Sequence, residues 1–214
     1  MLGKLFDRPP APGASSGAGG PRILRHSGGW GALRKRLTSE EGLRVLDIGS
    51  TSPANINYLT SLGHSVYMAD LVEDAATGEW LTGTDEDGKP VWDVEGFARQ
   101  NLHFSGRNFD MVLMWTALDY LPEALVAPVV RALHGAMTPG GQLLAFFHTK
   151  LQPDSTPYHR FHITATDDVE LQRARPATQQ RAMTNRNIER LFSDWSGLKQ
   201  FLAKDGVSEA IIVR

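Results

Sequence analysis

The sequence predicts an α/β fold, a mostly parallel sheet flanked by helices and closed by a C-terminal antiparallel hairpin. Three observations predict it. Arg44–Ile48 is a short aliphatic strand that stops at Gly49 and gives way to a helical pattern and then a second apolar strand. Phe109–Trp115 is a continuous apolar run of the kind a strand needs when both of its faces are covered. Leu198–Ala203 and Val207–Val213 flank Lys204-Asp205-Gly206, an Asp-Gly turn between two strands.

In chain order, residues 9–21 consist of Pro, Gly, Ala and Ser and cannot bury enough apolar surface to offset the entropy of ordering them. Residues 1–28 are therefore expected to form a disordered basic tail and residues 29–214 a single α/β domain. Trp30–Leu37 sets Trp30, Leu33 and Leu37 on one helix face. After Gly49, Ser52 and Pro53 read as a helix N-cap and first helical residue, because serine accepts an orphan amide and proline has no amide to leave unpaired. Ile56, Leu59 and Leu62 follow at helical spacing, and Gly63 stands where a left-handed C-terminal residue belongs. The strand Ser65–Ala69 then delivers Asp70. Strand, tight turn, helix, strand, acid is the plan by which α/β proteins hold an adenosine, with the acid accepting hydrogen bonds from ribose hydroxyls.

Beyond Asp70 the pattern weakens. Thr82–Pro90 is a polar, turn-rich loop, Val94–Gln100 hints at a helix, and no third sheet strand is legible. Leu121, Leu125, Val126, Val129, Val130, Leu133 and Met137 form one helical stripe, whose regular part is expected from about Leu125 so that Pro128 falls in the first turn. Thr138-Pro139-Gly140-Gly141 is expected to end that helix and turn into the strand Gln142–Phe147, with a loop from His148 to Pro157. Phe161–Thr164 reads as a short strand, and Thr184 as the cap of a helix through Phe192.

The chain has no cysteine, which excludes disulfides, thiolate metal sites and cysteine nucleophiles. No apolar run approaches the roughly 20 residues of a membrane span, so a cytoplasmic protein is expected. The net charge of −2 is unevenly spread: the first 44 residues are basic, and residues 70–95 carry nine acids against Lys89 alone. The basic segment lacks interleaved aromatics and reads as a solvated tail, so a nucleic-acid partner is not expected. Arg173, Arg175, Arg181, Arg186 and Arg190 read as a second solvated face or as a contact for an anionic partner. His159 and His162 lack a third ligand at a sensible spacing, and no metal is expected.

Leu46-Asp47-Ile48-Gly49, Asp70, Phe109-Asp110-Met111-Val112 and Met137-Thr138-Pro139-Gly140-Gly141 resemble, in their order and spacing, the class I S-adenosylmethionine-dependent methyltransferase family. The resemblance covers roughly residues 40–214. It implies a Rossmann-like fold, S-adenosylmethionine as cofactor, and methylation of an acceptor it does not identify. By the same resemblance Asp47 and the loop residues Gly49, Ser50, Thr51 and Ser52 lie against the methionine part of the cofactor, and Asp70 binds the ribose. Leu71 then packs by the adenine, and Trp115 faces the methionine amino group and the substrate. Two features depart from the family pattern. Thr51 and Pro53 replace the loop's second and third glycines, and a β-branched residue tolerates positive φ poorly. The third-strand acid that approaches the adenine is missing, with Ala98 near its place. These departures motivate an alternative, a catalytically inactive methyltransferase-like protein that binds or scaffolds a protein partner. A nicotinamide-binding domain needs Gly-x-Gly-x-x-Gly, which fails at Thr51 and Ala54.

In methyl transfer from a sulfonium the cofactor supplies the electrophile, while the protein positions the acceptor and, where needed, removes its proton. No residue type is obligatory, so the catalytic base is not readable from spacing. Asp119, Tyr120 and His148, at the carboxyl edge of the expected sheet, are the candidates. His148 reads more readily as a surface-loop histidine than as a base, and Asp119 and Tyr120 read equally as capping and packing residues where a helix begins.

Overall fold

The computed structural model describes residues 20–77, 79–151, 157–202 and 205–214 of the chain. A first strand, β1 (Ile23–His26), precedes α1 (Gly28–Ser39), in which Ser27 caps the Trp30 amide and Trp30, Leu33 and Leu37 face inward. β2 (Arg44–Ile48) leads through the Gly49 turn into α2 (Pro53–Ser61), where Ser52 Oγ accepts the Asn55 amide. Gly63, at φ +83°, turns the chain into β3 (Ser65–Ala69), and Asp70 caps the short α3 (Leu71–Ala76). A ribbon of β4 (Leu81–Thr84) and β5 (Pro90–Trp92) follows, then α4 (Val94–Asn101), β6 (Phe109–Trp115), α5 (Ala117–Tyr120) and α6 (Glu123–Ala136). The rest comprises β7 (Met137–His148), β8 (Pro157–Ile163), β9 (Asp168–Pro176), α7 (Asn185–Leu191), β10 (Gly197–Phe201) and β11 (Val207–Val213).

Six strands form the main sheet in the order β10-β11-β7-β6-β2-β3. β3, β2, β6 and β7 are mutually parallel, and β11 and β10 extend them antiparallel, as the C-terminal hairpin predicts. Alternation along β6 sends Met111, Leu113 and Trp115 into the layer with α1 and α2, and Val112 and Met114 into the layer with α3 to α7. The β4–β5 ribbon pairs only with itself, so β3 is the edge of the sheet. A second sheet, in the order β1-β9-β8, brings the β8–β9 pair against the C-terminal ends of β2 and β3.

Four expectations are corrected. The chain joins the fold at Ile23, not at residue 29: β1 pairs with β9, and Arg25, 8% exposed, bonds Glu209 and Asp205. Its charge is neutralised by acids some 180 positions away, which composition does not reveal; residues 1–19 lie outside the described residues. Pro128 sits inside α6, which begins five residues earlier at Glu123, rather than in its first turn. Thr138–Gly141 belong to β7, with Gly140 at φ +75° and bonded to the Arg214 carbonyl, so the turn is a bend within a strand. Arg173 and Arg175 lie in β9, and the expected loop begins and ends in strands, His148 closing β7 and Pro157 opening β8. Residues 152–156 of that loop lie outside the described residues. Among the described residues no helix is long and apolar enough to cross a membrane.

Candidate functional site

β2 and β3 run parallel in register, Ile48 opposite Ala69, so Gly49 and Asp70 emerge side by side at the carboxyl edge where open α/β sheets collect ligands. The Gly49 amide donates to the Ala69 carbonyl at 2.8 Å and fixes that pairing. Just below, Asp47 is 2% exposed and accepts from Trp115 Nε1 at 2.7 Å and Asn55 Nδ2 at 2.8 Å. Burial pushes its carboxyl up to about 6, although both donors pull the other way. Trp115, at φ +45°, stacks flat on Phe161 with ring centres 4.9 Å apart, so its ring is held from both sides. A methyl group at Gly49 would lie 3.3 Å from Trp115 Cδ1 and 3.6 Å from Tyr158 Oη, so a side chain there would press on the Trp115 ring.

Asp70, expected to await ribose hydroxyls, is already engaged. Its two oxygens accept from Arg175 Nη1 at 2.7 Å and Nη2 at 2.8 Å, a bidentate pair, and Oδ2 also accepts from Ser50 Oγ. Oδ1 caps α3 through the Glu73 amide. The Arg175 guanidinium lies over the Tyr158 ring, 4.8 Å from its centre. Tyr158 is 1% exposed, and burial together with the Asp70 charge pushes its phenol up, so it stays neutral. Thr51 is exposed and has negative φ, as its β-branch requires. With Ser50, Asp70, Glu73, Arg160, Ala174 and Arg175 it lines a shallow depression of about 330 Å³. Ser52 is buried and its hydroxyl meets His162 Nδ1 at 2.8 Å. Leu71 lies in the apolar core, with none of its surface exposed toward the depression.

The three candidate bases are brought together. Asp119 is fully buried, and its Oδ2 accepts from both the His148 amide and His148 Nδ1 at 2.7 Å, while Oδ1 has no partner. Burial pushes the Asp119 carboxyl up, and the His148 bonds oppose that. His148 is therefore not a loop histidine: β7 carries it to the sheet edge, and Asp119 holds its ring. A neutral imidazole donating from Nδ1 keeps its lone pair on Nε2. Tyr120 packs edge-on against both His148, at 6.0 Å, and Tyr158, at 5.0 Å. Among the described residues no group of His, Asp and Glu assembles a metal site.

Sequence reasoning missed Asn55, Tyr158 and Phe161 as site residues, and placed Arg175 only on a basic face or against an anionic partner. Asn55 fastens β8 to α2, taking the Ile163 amide on its oxygen and giving its NH2 to the Phe161 carbonyl and Asp47. The one available signal was Arg175's charge, which the basic stretch around it concealed.

A family profile described as a methyltransferase domain matches residues 24–199. The chain belongs to the class I S-adenosylmethionine-dependent methyltransferase family, and S-adenosylmethionine is its cofactor. No curated protein matches it in sequence. Among solved structures, the CcbJ methyltransferase from Streptomyces caelestis aligns with a TM-score of 0.50 at 14% identity, over 86% of this chain and 93% of that one. An S-adenosylmethionine dependent methyltransferase from Mesorhizobium loti aligns at 0.49 with 19% identity, over 86% and 97%. TehB from Haemophilus influenzae aligns at 0.48 with 14% identity, over 86% of this chain but only 62% of its own length. The first of these likenesses shows the shared fold.

Asp47, Gly49 and Asp70 have the chemistry a sulfonium nucleoside requires, and both Asp70 oxygens hold Arg175. The acid expected to bind the ribose is thus paired with an internal cation in this structure.

Proposed function

We propose that this chain methylates an acceptor bearing a removable O–H or N–H proton, with Asp47, Gly49, Ser50, Thr51, Ser52 and Asp70 as the residues that meet S-adenosylmethionine. Leu71 and Trp115 act behind them, Leu71 as the core anchor of α3 and Trp115 as the donor that orients Asp47. The observation that carries the reading is the in-register pairing of β2 and β3, which sets a glycine turn and an acid side by side at the carboxyl edge. His148 Nε2 is the proton acceptor on the acceptor's side, positioned by Asp119 through Nδ1. Such a base serves an alcohol, phenol or amine and is superfluous for an acceptor that is already anionic.

Titration calorimetry with S-adenosylhomocysteine on the wild-type chain and on Asp70→Ala tests the cofactor residues. Heat from the wild type that disappears in the variant supports the assignment. Silence from both at millimolar ligand would remove the cofactor role and leave a binding protein without turnover.

A further inference from the structure

The part of the β8–β9 ladder that lies on the cradle differs from the rest of it. Tyr158 pairs with Arg175 and Pro157 with Pro176, but the next pair is His159 with Arg173, so Ala174 is an unpaired bulge residue. The outermost pair consists of two prolines, which have no amide to donate. Inward of the bulge the ladder is firmly fixed. Asn55 holds the Ile163 amide and the Phe161 carbonyl, Phe161 stacks on Trp115, His162 meets Ser52, and β1 flanks β9 from Asp168 to Leu171. Two residues on each strand therefore form an end that a bulge separates from an anchored remainder. This end is held by Arg175, through Asp70, Ser50 and Glu73, and by the buried Tyr158 ring, which packs edge-on against Tyr120.

We propose that this end of the β8–β9 ladder is a latch seated in the cofactor cradle, which S-adenosylmethionine must displace, with the Ala174 bulge as hinge and the Arg175–Asp70 pair as catch. The proposal rests on the cofactor reading above. Asp70 serves either the guanidinium fork or a ribose diol, because the fork, Ser50 Oγ and the Glu73 amide together already give each of its oxygens two donors. The Tyr158 hydroxyl would stand 3.6 Å from a Cβ on Gly49, so the same end narrows the approach to the glycine turn. Occupancy by latch and by cofactor are mutually exclusive, so the apparent affinity falls by the fraction of molecules whose latch is open. Linkage makes the effect reciprocal: bound cofactor must free the latch.

Calorimetry with S-adenosylhomocysteine on the full chain, on Arg175→Ala and on Arg173→Ala tests this. Arg173, exposed on the same strand, controls for loss of one positive charge. Arg175→Ala is expected to bind about tenfold more tightly than the wild type, and Arg173→Ala to match the wild type. A wild type that binds while Arg175→Ala binds equally or more weakly overturns the latch and leaves the cofactor reading intact. Absence of binding in both overturns the cofactor reading and the latch with it. Hydrogen exchange on the wild-type chain gives a second test that does not depend on the variant folding. Saturating S-adenosylhomocysteine should speed exchange at Tyr158 and Arg175, whereas protection there would overturn the proposal.

Discussion

Replacing Asp47 with asparagine should change how the stability of this protein responds to pH. Burial raises the Asp47 carboxyl from the ordinary 3.8 to about 6, against the hydrogen bonds from Asn55 and Trp115. A folded-state value above the unfolded one means that the folded chain keeps a proton the unfolded chain gives up. Stability linked to Asp47 is therefore full below pH 3.8 and is lost as pH rises through the folded value near 6. At about 1.36 kcal/mol for each pH unit between the two values, the loss is about 3 kcal/mol by pH 7.5. Asp47→Asn has no proton to release. Urea unfolding of both proteins at intervals from pH 4 to 7.5 should therefore give a difference, wild type minus variant, that falls by about 2.4 kcal/mol, part of the loss having occurred by pH 4. The variant also carries a pH-independent offset, because its amide would face the NH2 of Asn55, which is already committed to the Phe161 carbonyl. That offset, about 1–3 kcal/mol for one buried donor left unpaired, shifts the difference curve without changing its slope. A flat or rising difference would mean that the two donors outweigh burial, and the reasoning would be refuted.

Three further outcomes are expected. Arg25→Ala leaves Glu209 buried without a counter-charge and should cost about 3–5 kcal/mol in urea unfolding, whereas Arg22→Ala, which loses only a half-exposed pair with Glu170, should cost less than about 1 kcal/mol. Asp119→Ala strips the His148 amide and Nδ1 of their common acceptor and should destabilise by about 2–3 kcal/mol, with Asp119→Asn recovering part of the loss because its carbonyl still accepts one bond. Pro128→Ala restores an amide inside α6 at a half-buried position and should raise the thermal midpoint, by the equivalent of about 1–3 kcal/mol. An unchanged or lower midpoint would show that the proline's packing outweighs the missing hydrogen bond.

The legible parts of this fold are those governed by neighbours in sequence. Ser52, Pro53 and Gly63 delimit α2 by local capping rules, and the apolar run of β6 declares a strand covered on both sides. For the same reason the glycine turn and Asp70 could be found, since each closes a short strand. β9 was not legible, because a strand in the small sheet with one solvated side can carry Glu, Gln and Arg and reads as a polar loop. β1 was hidden similarly: its meaning depends on Asp168 through Leu171 opposite it and on Glu209 beyond. The identity of the third element at the cradle was out of reach, because Arg175 and Asp70 stand 105 positions apart and nothing in either segment marks the other.

Charge explains why an internal cation stands at this place. Asp70, Glu73 and Asp74 crowd the start of α3, where the helix N-terminus stabilises negative charge but three carboxylates also repel one another. Asp74 shows the strain: burial, then Asp70 and Glu73, push its carboxyl up, and Arg175 pulls it back. β3 is the sheet edge, so no further strand contributes a group to balance these acids. Arg175 reaches across from β9 and bonds two of the three carboxylates at once. The arginine is thus bound among the acids at the start of α3, and whatever displaces it from Asp70 leaves Glu73, the more exposed partner, free to hold it at the rim. The displaced guanidinium then still has a carboxylate to pair with, which lowers the cost of opening below that of breaking the whole cluster.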